Sequence, residues 1–149
     1  MLKFSNRFKF ADWPNPNVPD SSAGVYVVWE GDLLIYAGMS GRGYDPEIAS
    51  TKKQYGLVTR LRSHASGRLS GDQFCVYVAN RLVIPSLTQS DLGRFANSEL
   101  TLDKLTKRYI HDRFEYQFAA CESGTEAMLH EKALLRGEIL GVKPLLNPR

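Results

Sequence analysis

Glu131 is the residue least at home in its surroundings. On a helix its neighbours one turn away are Ala127 and Met128 behind, Leu134 and Leu135 ahead. All four are apolar, so the carboxylate is expected in the middle of a buried stripe. An unpaired carboxylate there costs several kcal/mol or shifts its pKa strongly, and a cation or metal is the natural partner. Glu126 has a role already, in an S-x-x-E capping box with Ser123, and Glu138 lies near the helix end, within reach of water. Arg60 and His64 form a second pair, four residues apart and therefore on one helix face. At about 100° per residue, Leu57, Leu61 and Ala65 make the adjoining apolar stripe, which puts Arg60 and His64 on the border of the core, where a cleft lip would lie. Tyr26 and Tyr36 each stand beside a glycine, in Gly24-Val25-Tyr26 and Tyr36-Ala37-Gly38. Two strand tyrosines are ordinary half-buried aromatics when taken alone. They gain weight from the rest of the set.

These side chains need elements to position them. Gly24 to Trp29 is rich in β-formers and predicts a strand, Glu30-Gly31-Asp32 a turn, and Leu33 to Ala37 a returning strand, together a hairpin. Gly38 to Gly56 predicts a long loop, followed by a helix from Leu57 to Ala65. Gln73 to Ala79 predicts a third strand, extending toward Ile84, and Phe114 to Ala120 another. The polar segment 86–113 reads as an insertion whose latter half puts Leu102, Leu105 and Tyr109 at helical spacing. The last helix opens at the Ser123 box, runs to about Leu140 and stops at Gly141, with Pro144 to Asn147 extended. Residues 1–20, with Pro14, Pro16 and Pro19 among aromatics, read as an irregular arm. The order β-β-α-β-α-β-α predicts a single α/β (α+β) domain over 1–149, a small, mostly antiparallel sheet of three to four strands flanked by helices.

The 149 residues suffice for one domain with a substantial core, and 43% hydrophobic with 23% charged residues is ordinary for a globular protein. No apolar run approaches a bilayer span, and Met1-Leu2-Lys3-Phe4-Ser5 lacks a signal-peptide core, so a cytoplasmic protein is expected. Cys75 and Cys121 are isolated and suggest neither a disulfide framework nor a zinc site. The net charge of +3 is compatible with nucleic acid without establishing it. Lys52, Lys53, Arg60, Arg62 and Arg68 crowd one stretch, and Lys104, Lys107, Arg108 and Arg113 another.

Gly-Val-Tyr, Tyr-Ala-Gly, Arg-x3-His on a helix, Glu on a later helix and then Pro-x2-Asn, in that order from Gly24 to Asn147, resemble the GIY-YIG endonuclease family. Val25 and Ala37 stand where the family usually carries isoleucine. The stretch between Tyr36 and Arg60 exceeds the usual spacing, which leaves Arg62 and Arg42 as the other candidates for the functional arginine. By resemblance, Tyr26, Tyr36, Arg60, His64, Glu131 and Asn147 correspond to the functional positions.

The resemblance implies Mg²⁺-dependent (or Mn²⁺-dependent) hydrolysis of DNA phosphodiester bonds, with the metal on Glu131. It gives Arg60 the charge on the phosphoryl oxygens, and makes Tyr26 the group that takes or positions the proton of the attacking water. His64 then receives the proton from Tyr26, and Tyr36 orients the water or a phosphate oxygen. Asn147 is expected to fix the C-terminal segment rather than do chemistry. Lys52, Lys53, Arg62 and Arg68 are the candidate contacts to duplex DNA. One site per chain means that double-strand cutting takes two protomers, as in a homodimer, or two successive nicks. The alternative is a nucleic-acid-binding module that keeps the scaffold without cutting; it predicts loss of the glutamate or the arginine, and both are present.

Overall fold

Gly24-Val25-Tyr26-Val27-Val28-Trp29 is apolar almost throughout because the strand it forms is covered on both faces. The structure, a computed structural model, describes residues 1–20, 22–44, 47 and 56–148. Strand β2 (Ala23–Glu30) lies between β3 (Leu33–Ser40) and β4 (Glu115–Cys121), and β1 (Phe8–Lys9) pairs with the far side of β4. All pairings are antiparallel, in the order β1-β4-β2-β3. Successive side chains alternate between faces. Tyr26 and Val28 therefore enter one core, with Tyr116, Leu57, Leu61, Phe74, Val78 and Ile110. Val25 and Val27 enter the other, with Ala37, Ala119, Ala127 and Leu134.

The first core is roofed by α1 (Leu57–Ser66), α2 (Gln73–Val78) and α4 (Leu102–Arg113); α3 (Gln89–Ala96) precedes α4. The second is covered by α5 (Gly124–Arg136) alone. Expectation and structure agree on an α+β fold with a small antiparallel sheet flanked by helices, and on the hairpin, α1, α4 and β4.

Three expectations are corrected. Gln73 to Ala79 is a helix, not a strand. Its β-forming residues are overridden by position: Phe74, Cys75, Val78 and Ala79 recur with helical spacing and are all buried, and Asp72 caps the first turn by accepting from the Cys75 N–H. The chain continues through a π turn over Ala79–Val83 and a 3-10 turn over Ile84–Ser86. The fourth strand comes instead from the arm, where Phe8 pairs with Tyr116 and Lys9 with Glu115. Helix α5 ends at Arg136, because Gly137 already adopts the left-handed conformation (φ 80°) and closes the helix four residues before Gly141. Segment 86–113 is also less of an appendage than its polarity suggests, since Thr106 and Ile110 of α4 are fully buried.

Gly24 is required by packing. A Cβ there would stand 2.5 Å from the Ala119 carbonyl oxygen and 2.6 Å from Leu57 Cδ1, so it would part β2 from β4 or lift α1 off the sheet. Gly24→Ala is expected to cost at least the roughly 1–3 kcal/mol of ordinary overpacking. Gly93→Ala, on exposed α3 with nothing within 4 Å, is expected to stabilise by up to about 1 kcal/mol. Urea unfolding of both variants checks the pair; equal effects would contradict this account of Gly24.

Candidate active site

Tyr26 and His64 are brought together by the seating of α1 on β2. Each is 2% exposed, and Tyr26 Oη lies 2.7 Å from His64 Nε2. The tyrosine ring can lie flat along the hairpin because its cross-strand partner is Gly38. A Cβ at Gly38 would fall 2.3 Å from Tyr26 Oη. The glycines of Gly24-Val25-Tyr26 and Tyr36-Ala37-Gly38 thus serve packing: the first admits Leu57 of α1, the second admits the ring of Tyr26.

Behind His64 stands Asp72, the α2 cap. Its Oδ2 lies 2.6 Å from His64 Nδ1 and accepts from Ser63 Oγ at 2.8 Å, while Oδ1 accepts from the Cys75 N–H at 3.2 Å. Asp72 did not emerge as a site residue from the sequence, because reading 73–79 as a strand hides an Asp-x-x-Cys helix start. The signal was there, as an N-cap residue before buried positions at helical spacing.

Tyr36 is half-buried on the same face. Its ring lies 5.0 Å from that of Phe74 and 6.0 Å from His64, at right angles to the imidazole. Arg60, exposed one turn before His64, is close enough to influence the ionisation of Tyr26, Tyr36, His64 and Glu131. Glu131 comes from α5, on the opposite face of the sheet, and reaches the edge strand β3. There its carboxylate accepts a hydrogen bond from the Met39 N–H, with Arg42 and Arg60 as nearby cations. The expected central burial of Glu131 is corrected: of its four neighbours Ala127 and Leu134 are buried, Met128 and Leu135 are half-buried, and so is the glutamate.

Asn147 stands two residues along the β3 edge from Met39's contact. Its side chain accepts from the Ala37 N–H at 2.9 Å and donates to the Ala37 carbonyl at 2.8 Å. Leu145 and Leu146 donate to Leu34 and Ile35 along the same edge. Asn147 is a strand-edge clamp. Among the expected DNA contacts, Arg62 and Arg68 are exposed on α1 and just beyond it, while Lys52 and Lys53 lie outside the described residues. Gly67 packs against Lys107 and the Leu69 N–H bonds Asp103, so the first basic stretch ends against the second.

Burial first, then the neighbouring Tyr36, pushes Tyr26 well above the usual tyrosine range. Burial, with Asp72 and Glu131 nearby, pushes Tyr36 up to about 12. Burial lowers His64 in spite of its bond to Asp72. Burial alone would raise Asp72, but the hydrogen bonds from His64, Ser63 and Cys75 outweigh it and hold the carboxylate below its usual range. Burial raises Glu131 against the pull of Arg42, the Met39 N–H and Arg60. At neutral pH the resting site therefore holds two neutral phenols, a neutral imidazole and an ionised Asp72.

Among the described residues no group of three or more His, Cys, Asp or Glu side chains could hold a metal ion, and no helix is long and apolar enough to cross a membrane. Comparison of the chain with protein-family models, with curated proteins and with solved structures returns no match.

The depressed His64 makes a stability prediction. The unfolded chain takes up the histidine proton first, so the stability His64 contributes is complete above about pH 6.5 and is lost as pH falls toward its folded pKa. The melting temperature of the wild type should drop between pH 7.5 and 5.5, and His64→Gln should flatten that drop. Parallel curves for the two proteins in scanning calorimetry would count against the neutral, buried imidazole.

Proposed function

We propose that the protein is a metal-dependent endonuclease that hydrolyses phosphodiester bonds of duplex DNA with a site of the GIY-YIG type, acting in the cytoplasm. The observation that supports this reading best is the gathering of Tyr26, Tyr36 and His64 on one face of the hairpin, with Arg60 and Glu131 close enough to influence the ionisation of both tyrosines. A core histidine with an ordinary structural role needs no tyrosine, arginine and glutamate gathered around it.

In this reading a water held beside Tyr36 attacks phosphorus. Its proton passes to Tyr26 Oη as the Tyr26 proton passes to His64 Nε2, so no free phenolate forms. The raised pKa of Tyr26 makes that coupling necessary, and the neutral His64 makes it available. An O–P bond forms and the P–O3′ bond breaks, leaving a 5′-phosphate and a 3′-hydroxyl whose proton comes from solvent. The Arg60 fork neutralises charge building on the phosphoryl oxygens. Glu131 offers one hard carboxylate, half-open and steadied by the Met39 N–H, with water and phosphate oxygens to complete a coordination shell; that donor set fits Mg²⁺ or Mn²⁺. Held by Glu131, such a metal would supply Lewis acidity toward the phosphate and the departing oxygen. Arg62, Arg68 and the exposed cations of α4 supply phosphate contacts, and double-strand cutting takes a homodimer or two nicks.

The test uses supercoiled plasmid. Wild type with Mg²⁺ should convert it to nicked circles, and EDTA should stop the reaction. Arg60→Ala should lose on the order of 10²–10³ in rate while keeping most DNA affinity. Glu131→Gln should not cut, yet in EDTA at pH 7.5 it should melt at the same or a higher temperature, because a raised glutamate pKa penalises the folded state above the ordinary carboxylate range. Binding without cutting by wild type would turn the reading toward a non-cleaving nucleic-acid module, and an active Glu131→Gln would remove Glu131 as metal ligand.

A further inference from the structure

We infer that Asp72 is a positioning residue that fixes His64 in its Nδ1–H tautomer and thereby makes Nε2 the acceptor of the Tyr26 proton. The argument is a count of donors. An ionised carboxylate only accepts hydrogen bonds. Asp72, 2% exposed, receives the Cys75 N–H on Oδ1 and both Ser63 Oγ and the His64 ring on Oδ2. The 2.6 Å contact to His64 therefore puts the imidazole hydrogen on Nδ1, and a neutral ring then has a bare lone pair on Nε2. Tyr26 Oη, at 2.7 Å, can only be the donor in that contact, which leaves its own lone pairs free. The same carboxylate stabilises the imidazolium that forms when the proton arrives.

Helix α2 makes the arrangement hard to misassemble. The Cys75 N–H is a fixed backbone donor in the first turn, so the oxygen facing it cannot be exchanged for a donor. In Asp72→Asn the side-chain oxygen must stay on Cys75, and the NH₂ group is forced toward His64 Nδ1. The ring then takes its hydrogen on Nε2 and donates to Tyr26, reversing the contact. The substitution keeps shape and cap while turning the relay around. The consequence for rate rests on the nuclease reading; the tautomer does not.

The experiment has two arms. Long-range ¹H–¹⁵N correlation spectra of the histidine rings, at a pH where His64 is neutral, should show Nδ1–H in wild type and Nε2–H in Asp72→Asn. In the plasmid assay with Mg²⁺, Asp72→Asn should lose about 10²–10⁴ in kcat with KM within about threefold. Asp72→Ser separates capping from positioning: serine still caps α2 but is too short to serve His64, so it should lose comparable rate while still melting cooperatively, a few degrees below wild type for the unpaired Nδ1–H. Nε2–H in the wild type, or an unchanged tautomer in Asp72→Asn, overturns the inference. An unchanged kcat in both variants overturns the positioning role. A wild type that shows Nδ1–H but does not nick would instead sink the nuclease reading and leave the tautomer assignment standing.

Discussion

The hydrogen bond from Tyr26 Oη to His64 Nε2 joins the central strand to the first helix where both side chains are all but buried. An unpaired phenol or imidazole at that depth would cost on the order of 1–3 kcal/mol, so each group depends on the other being in place. Much of the local sequence follows from that constraint. Gly38 leaves room for the tyrosine ring, Gly24 lets Leu57 bring α1 down to the sheet, and Gly67, at φ 69°, turns the chain after the helix so that Asp72 can return beneath His64. The polar pair is thus held by packing and by the carboxylate of Asp72.

Strand β3 carries the second constraint. As the edge of the sheet it presents unpaired backbone groups, which are a liability unless covered. Here they are taken up one after another: Leu34 and Ile35 by the backbone of Leu145 and Leu146, Ala37 by the side chain of Asn147, Met39 by Glu131. Glu131 belongs to the helix on the opposite face from Tyr26 and His64, and its seat on the edge strand brings it close enough to influence the ionisation of Tyr26 and Tyr36. The contact also explains how a glutamate tolerates a largely apolar helix face, since the N–H of Met39 and two arginines offset part of the burial.

Legibility in the sequence followed the strength of the local signals. The hairpin was readable because β-formers flank a Glu-Gly-Asp turn, and α1 because Leu57, Leu61 and Ala65 keep a helical period beside His64. Gln73 to Ala79 was harder to read, since Phe, Val, Tyr and Val favour strands and outweigh the Asp72 cap, and the tertiary burial of Phe74 and Val78 decides for a helix. Asp72 is visible locally only as the α2 cap bonded to the Cys75 N–H, and its partnership with His64 is made by the fold. The pairing of Phe8 with Tyr116 is a long-range contact of two residues, too short to leave a periodicity. Tyr26 and His64 could be named from their residue types and order, but the bond between them required the crossing of α1 over β2.

The electrostatic state of the site follows from its burial. Both tyrosines stay protonated far above neutral pH, and His64 stays neutral below its ordinary range, so no phenolate is held at rest and the proposed relay must move a proton from a neutral phenol. The pH dependence of kcat for plasmid nicking at saturating Mg²⁺ tests this most directly. The account predicts a rate that rises about tenfold per pH unit on the acid side, levels off below about pH 6.5 where His64 becomes neutral, and stays flat past pH 9. A rate that goes on climbing tenfold per unit between pH 7 and 9 would mean that a resident anion is the base, and would contradict the Tyr26–His64 relay.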